Sequence, residues 1–168
     1  MILIIDYMEG FKMRVLVAYF SKTGNTKMMA ETIAQSVEEN GCDVVLKRIE
    51  DATPEDMLEA DGVIIGSPTY YGTAAGAVKS LFDESVKYHG KLDGKVGAAF
   101  TSCGIIGGGS ETAILSILYP MLVHGMIIQG DPKIGHFGVV AVKTPDDAVL
   151  NDCKRLGERV ANLIKKLK

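Results

Sequence analysis

Three short stretches carry residue types that could do chemistry. The first is Ser21-Lys22-Thr23-Gly24-Asn25-Thr26, between an apolar strand and an amphipathic helix. A helix N-terminus leaves N–H groups unpaired and carries partial positive charge. Hydroxyls on Ser21, Thr23 and Thr26 add neutral donors, Lys22 adds one charge, and Gly24 allows close backbone approach. Such a loop suits a phosphate monoester; it also reads as an ordinary helix cap. No Gly-Lys-Ser/Thr comes after it and no G-x-G-x-x-G occurs, which argues against a nucleoside-triphosphate loop and a dinucleotide fingerprint.

The second stretch is Gly66-Ser67-Pro68-Thr69-Tyr70-Tyr71-Gly72. Pro68 stiffens the exit from a buried strand. Two adjacent tyrosines offer flat apolar area with polar tips, suited to a planar ring or to covering the edge of the core. The third runs from Thr101, Ser102, Cys103, Gly104 and Ile105 to Gly107, Gly108, Gly109, Ser110 and Glu111. So much glycine costs backbone entropy and fits a place where the main chain must approach a ligand, or a mobile loop. Cys103 has no second cysteine nearby, so it reads as a small buried packer. His124 comes just after the fourth helix and reads either as a proton donor or as a residue bonding the last helical carbonyl.

The elements that position these loops alternate. Strand-length apolar runs cover Val15–Phe20, Asp43–Ile49, Val63–Gly66, Val96–Thr101 and Met126–Gln129. Between them lie helical patterns: Met29, Ile33 and Val37; a short piece from Pro54 to about Glu59; Ala74, Val78, Leu81, Phe82 and Val86; and about Ser110 to Val123. A last helix has Val149, Cys153, Leu156, Val160, Ile164 and Leu167 in period. This alternation predicts an α/β domain with a parallel sheet covered on both faces. Ligands then bind outside the carboxyl ends of the strands. The three loops come after strands one, three and four, so they converge on one edge as a phosphate pocket, an aromatic wall and a close-approach glycine loop. Together they describe a mononucleotide with a flat ring system.

Composition excludes other classes. The chain has 168 residues, 47% hydrophobic, with a formal net charge of −3. That is one domain by length, with no electrostatic signal for nucleic acid or a membrane surface. Three dispersed cysteines and three histidines give no metal-ligand spacing and fit a reducing cytoplasm. Residues 1–12 read as an N-terminal extension, an upstream-start artefact or an extra edge strand, leaving 13–168 as the domain. The apolar run Ile2–Ile5 is too short for a signal sequence or a membrane span. The helix from Ala113 to Val123 is apolar almost all round, which predicts a homo-dimer or homo-tetramer that buries part of it. Glu50, Asp51, Glu55, Asp56, Glu59 and Asp61 form an acidic cluster, read as a solvated connector.

The motif S-K-T-G-N-T after strand one resembles the phosphate loop of flavodoxins, which bind FMN. P-T-Y-Y-G, the G-G-G-S-E loop and V-H-G-M resemble the WrbA-like NAD(P)H:quinone oxidoreductases of the flavodoxin-like superfamily. The resemblance runs from about residue 14 to the C-terminus. It implies a flavodoxin-like three-layer sandwich with a five-stranded parallel sheet in the order 2-1-3-4-5. It implies that Ser21 to Thr26 hold the FMN phosphate, and that Pro68 to Gly72 line the ring system, with Tyr71 at the family's aromatic position. Thr101 to Gly108 would wrap the other ring edge, His124 would match an active-site histidine, and Tyr88 and His89 would touch substrate.

The implied activity is two-electron transfer from NAD(P)H to a small-molecule quinone-type acceptor by a ping-pong reaction. A one-electron carrier protein is the alternative. The chain departs from the family in three ways: Tyr70 replaces a basic residue, the chain is shorter than typical members, and the loop before Gly107 is about one residue longer. The absence of tryptophan leaves one ring face open or covered by a neighbouring subunit, which favours the enzyme.

Overall fold

The computed structural model describes residues 13–168; the expected extension 1–12 lies outside the described residues. The chain runs β1 (Arg14–Tyr19), α1 (Asn25–Glu39), β2 (Asp43–Arg48), α2 (Pro54–Glu59), β3 (Gly62–Pro68) and α3 (Gly76–Glu84). It continues through β4 (Val96–Cys103), α4 (Ser110–Val123), β5 (Ile127–Ile128), β6 (Val139–Val142) and α5 (Asp147–Leu167). Single-turn 3₁₀ pieces cover Ile49–Asp51 and Ser85–Tyr88.

The strands form a parallel sheet in the order β2-β1-β3-β4-β5, as the resemblance implied. The fifth position holds a correction. The expected strand Met126–Gln129 shrinks to Ile127–Ile128, which pairs with Val96 and Gly97 at the start of β4. Val139–Val142 then pairs with Phe100 to Cys103 at its end. Residues 129–138 interrupt one strand position, so two segments share one neighbour.

Alternation along β1 divides the core. Val15, Val17 and Tyr19 face one cluster with Met29, Ile33, Val37, Val160 and Ile164. Leu16 and Ala18 face a second with Met57, Leu81, Phe82, Ile114 and Met121. Successive side chains of a strand point to opposite faces, and β1 is buried on both, hence its unbroken apolar run. Helices α1 and α5 cover the first face, α2, α3 and α4 the second. Gly66 in β3 faces the Phe100 ring; a Cβ there would lie 2.0 Å from the ring, so only glycine fits.

Helix α2 starts at a capping box, with Thr53 and Asp56 bonding each other's backbone N–H. Asp146 caps α5 by accepting from the Val149 N–H at 2.9 Å. Helices α1 and α4 start instead at Gly24 and Gly109, both left-handed, and no side chain caps either. Both open at the carboxyl edge of the sheet.

Candidate functional site

The carboxyl ends of β1, β3, β4 and β6 surround a cleft of about 380 Å³. Lys22, Thr23, Asn25 and Thr26 line one wall, Pro68, Thr69 and Tyr70 a second, and Ser102, Cys103 and Gly104 a third. Three loops far apart in sequence thus meet as expected.

Hydroxyls set the floor. Thr26 Oγ1 and Ser102 Oγ lie 2.9 Å apart and join the first and third loops. The fully buried Thr101 hydroxyl donates to the Ser67 carbonyl at 2.7 Å. Its oxygen is then free to accept from Thr69 Oγ1 at 2.9 Å. Ser21 accepts from the Gly24 N–H at 3.2 Å, which holds the loop in the turn that opens α1. The first N–H groups of α1 face the cleft without a side-chain cap.

The second loop is a tight turn. Tyr70 and Thr73 exchange backbone bonds of 2.8 and 3.0 Å, and Tyr71 and Gly72 both have positive φ, 51° and 77°. Tyr71 is held in a conformation uncommon for a non-glycine residue, with its side chain fully in solvent. Tyr70 meets the Phe20 ring edge-on at 6.3 Å. Gly109 touches this turn: a Cβ there would lie 2.7 Å from the Gly72 Cα. Ile105 and Ile106 stand exposed at the tip of the third loop. Cys103 donates weakly to the Ile105 carbonyl at 3.4 Å, and burial raises its thiol pKa, so it packs rather than reacts.

The other expected cofactor residues frame the cleft rather than line it. Ser21 and Gly24 shape the first turn, Tyr71 and Gly72 the second, Thr101 lies under the floor, and Ile105, Gly107 and Gly108 build the third loop beyond Gly104. Two lining residues escaped the sequence reading: Lys143 and Thr144, just after β6. The Lys143 N–H donates to the Cys103 carbonyl at 2.7 Å, and its φ is 65°. The apolar run Val139–Val142 between Gly138 and Pro145 was the available signal. Lys143 brings a second cation beside Lys22.

Three expected residues lie elsewhere. His124 ends α4 at the opposite edge of the sheet, where Gly125 accepts from the Gly94 N–H and Ile127 bonds Lys95. It is buried, and its Nε2 lies 2.8 Å from Ser85 Oγ. The Ser85 hydroxyl donates to the Phe82 carbonyl, so it must accept from His124 Nε2–H. Nδ1 is then a bare acceptor, with no partner among the described residues. Burial, and then the nearby His89, lowers the His124 pKa. His124 is therefore a neutral packed residue of its own chain and no part of the cleft. Tyr88 and His89 share that edge: the Tyr88 hydroxyl donates to Glu55 at 2.9 Å, and His89 lies 6.1 Å from His124, ring to ring. Neither reaches the cleft.

The donor set fits a phosphate-bearing flat cofactor: an uncapped helix start, a hydroxyl floor, two lysines and an aromatic turn. The family description NADPH-dependent FMN reductase matches residues 11–136. The chain belongs to the NADPH-dependent FMN reductase family. A flavodoxin of Aquifex aeolicus is 39% identical over 160 residues, covering 90% of this chain and 86% of the relative. An NAD(P)H dehydrogenase (quinone) of Archaeoglobus fulgidus is 33% identical, covering 92% and 98%. Among solved structures, a WrbA-like flavodoxin from Agrobacterium tumefaciens superposes with a TM-score of 0.80 at 26% identity, covering 94% and 100%. The chain is thus an FMN-binding, flavodoxin-like oxidoreductase.

Proposed function

We propose that this oxidoreductase passes two electrons from NAD(P)H to quinone-type acceptors by a ping-pong reaction at the carboxyl edge of the sheet. One observation carries the reading: a single cleft joins the uncapped N-terminus of α1 to a solvent-exposed aromatic turn. The first gives a phosphate its N–H donors, and the second leaves room for an incoming ring.

The α1 N-terminus with Thr23, Asn25 and Thr26 would hold the FMN phosphate, while Lys22 and Lys143 offset its charge. Tyr70, braced by Phe20, and the backbone of Ser102 to Gly104 would flank the ring. Bound FMN supplies hydride acceptance and release. The chain supplies placement and leaves an open approach beside Tyr71 and Ile105. Among the described residues no histidine lines the cleft, so protons for the reduced quinone come from solvent or from the hydroxyls of the loops.

The relatives named flavodoxin favour a second reading, a one-electron carrier. Such carriers use acidic patches to steer basic partners. Here Glu50, Glu55, Asp56, Glu59 and Asp61 each pair with a lysine or arginine, which blunts that patch.

Tyr119, Leu122 and Val123 form an exposed apolar face on α4, and we assign it to a second copy of the chain in a dimer or tetramer; sedimentation as a monomer at micromolar concentration contradicts this. The buried free cysteines agree with a cytoplasmic location, and no described helix is long and apolar enough to cross a membrane. Steady-state rates with NADPH and benzoquinone varied together test the mechanism. Parallel double-reciprocal lines are expected; intersecting lines rule out ping-pong.

A further inference from the structure

The segment that splits the fifth strand is ordered by its own bonds. Asp131 N–H donates to the His136 carbonyl at 3.2 Å, His136 Nδ1 donates to the Asp131 carbonyl at 2.9 Å, and Gly138 N–H bonds Gly135 at 3.0 Å. Asp131 is clamped by Arg155 at 2.6 Å and Arg159 at 3.3 Å, and the Arg155 contact holds its carboxyl down at about 2. Yet the segment presents Lys133, His136 and a half-exposed Phe137 outward, and the Lys133 ammonium makes no ion pair among the described residues. These side chains, with Glu111, Ile114 and Val140, line a second groove of about 380 Å³.

Two chain segments connect the groove to the cleft. Loop three lies between them, with Gly104 on the cleft and Glu111 on the groove. Strand β6 leads from one toward the other: Val140 borders the groove, and Lys143, just after the strand, lines the cleft, a separation of at most about 10 Å at ~3.3 Å per residue. A nicotinamide dinucleotide must put its redox ring at the cleft and its adenosine half somewhere nearby. The groove offers that half an aromatic face, a cation for the pyrophosphate and a carboxylate able to accept from ribose hydroxyls.

We propose that the groove between the N-terminus of α4 and residues 129–138 is the subsite for the adenosine diphosphate half of NAD(P)H, with Phe137 against the adenine and Lys133 on the pyrophosphate. This rests on the oxidoreductase reading above. A preformed wall suits the role, because little ordering remains when the ligand binds.

The test titrates ADP-ribose and its 2′-phosphate into the full FMN-loaded chain by calorimetry; neither probe can donate a hydride. Lys133→Glu and Phe137→Ser each lie on exposed positions. Each should weaken the preferred probe at least tenfold while the flavin absorbance per chain is retained. In anaerobic reduction, the half-saturating NAD(P)H concentration should rise by a similar factor. Wild-type affinity in both variants overturns the subsite, as does failure of the wild type to bind either probe. Reduction by NAD(P)H that saturates alike in wild type and variants removes the subsite and leaves the redox reading standing. Probe binding lost in the variants, with no reduction of the wild type, does the reverse.

Discussion

The two edges of the sheet spend their polar groups differently. At the carboxyl edge, α1 starts without a cap, Tyr71 stands in solvent at positive φ, and Lys22 and Lys143 face a cleft. At the opposite edge the polar side chains mostly pair with one another: His124 Nε2 with Ser85, Tyr88 and Lys87 with Glu55, Lys168 with Asp61, while His124 Nδ1 is left an acceptor with no partner among the described residues. Open N–H donors and two lysines at the carboxyl edge mark where an anion goes, whereas the unpaired atom at the other edge is a lone acceptor on a neutral ring. Residue type alone does not mark it: the carboxyl edge has hydroxyls and backbone, and the histidine sits at the other.

The largest effect should come from a charge placed in the cleft. Thr23→Asp sets a carboxylate against the phosphate, and like charges about 4 Å apart near a surface repel by ~4 kcal/mol. FMN affinity, read by flavin fluorescence on stripped protein, should fall at least about a hundredfold. Because Thr23 is exposed, the fold should survive. Unchanged retention would mean that the open edge holds no phosphate.

Gly109→Ala probes the joint between loops two and three. Its φ is 87°, and the new Cβ meets the Gly72 Cα. If the free protein relieves this strain of ~1–2 kcal/mol by parting loops two and three, bound FMN must restore it, and affinity should fall roughly tenfold; unchanged affinity would separate the joint from the flavin site.

His124→Ala tests the closed edge. It removes a buried bond to Ser85 and should lower unfolding free energy by about 1–3 kcal/mol in urea. Flavin content and the rate of reduction by NADPH should not change. Lost turnover at unchanged stability would return His124 to the chemistry.

The same residue sets a pH dependence. Its folded pKa is depressed by burial, so its contribution is complete above the unfolded value of about 6.5. As the pH falls below that value the unfolded chain takes up a proton that the folded chain resists, and stability drops. His124→Gln should flatten the loss between about pH 6.5 and 5 in urea titrations. Smallest of all, Tyr88→Phe removes one exposed bond to Glu55 and should leave the urea midpoint and turnover unchanged, because solvent replaces such a bond.

Much of the open edge was legible in the sequence. A strand buried on both faces must be apolar throughout, and the loop after it must sit at the sheet edge. Ser21–Thr26, Pro68–Tyr70 and Ser102–Gly104 therefore found their places from order alone. The misplacements have a geometric cause. A 14-residue helix that opens at the carboxyl edge of the sheet ends about 21 Å away at ~1.5 Å per residue, so His124 had to emerge at the far edge of its own chain. Tyr88 and His89, just past α3, obey the same rule. Similarity to a family pattern pointed to these residues, and the antiparallel run of the helices moved them off. Lys143 and Thr144 were hidden because β5 is only two residues long, and the strand resumes after a segment that leaves no periodic trace.

The decisive measurement is anaerobic titration of the flavin-loaded protein with NADPH and with NADH, watched in the visible spectrum. One nucleotide should bleach the flavin fully in a single two-electron phase, and added benzoquinone should restore the colour. A yellow protein reduced by dithionite but by neither nucleotide would contradict hydride transfer at the cleft and make the open edge an electron port for a protein partner.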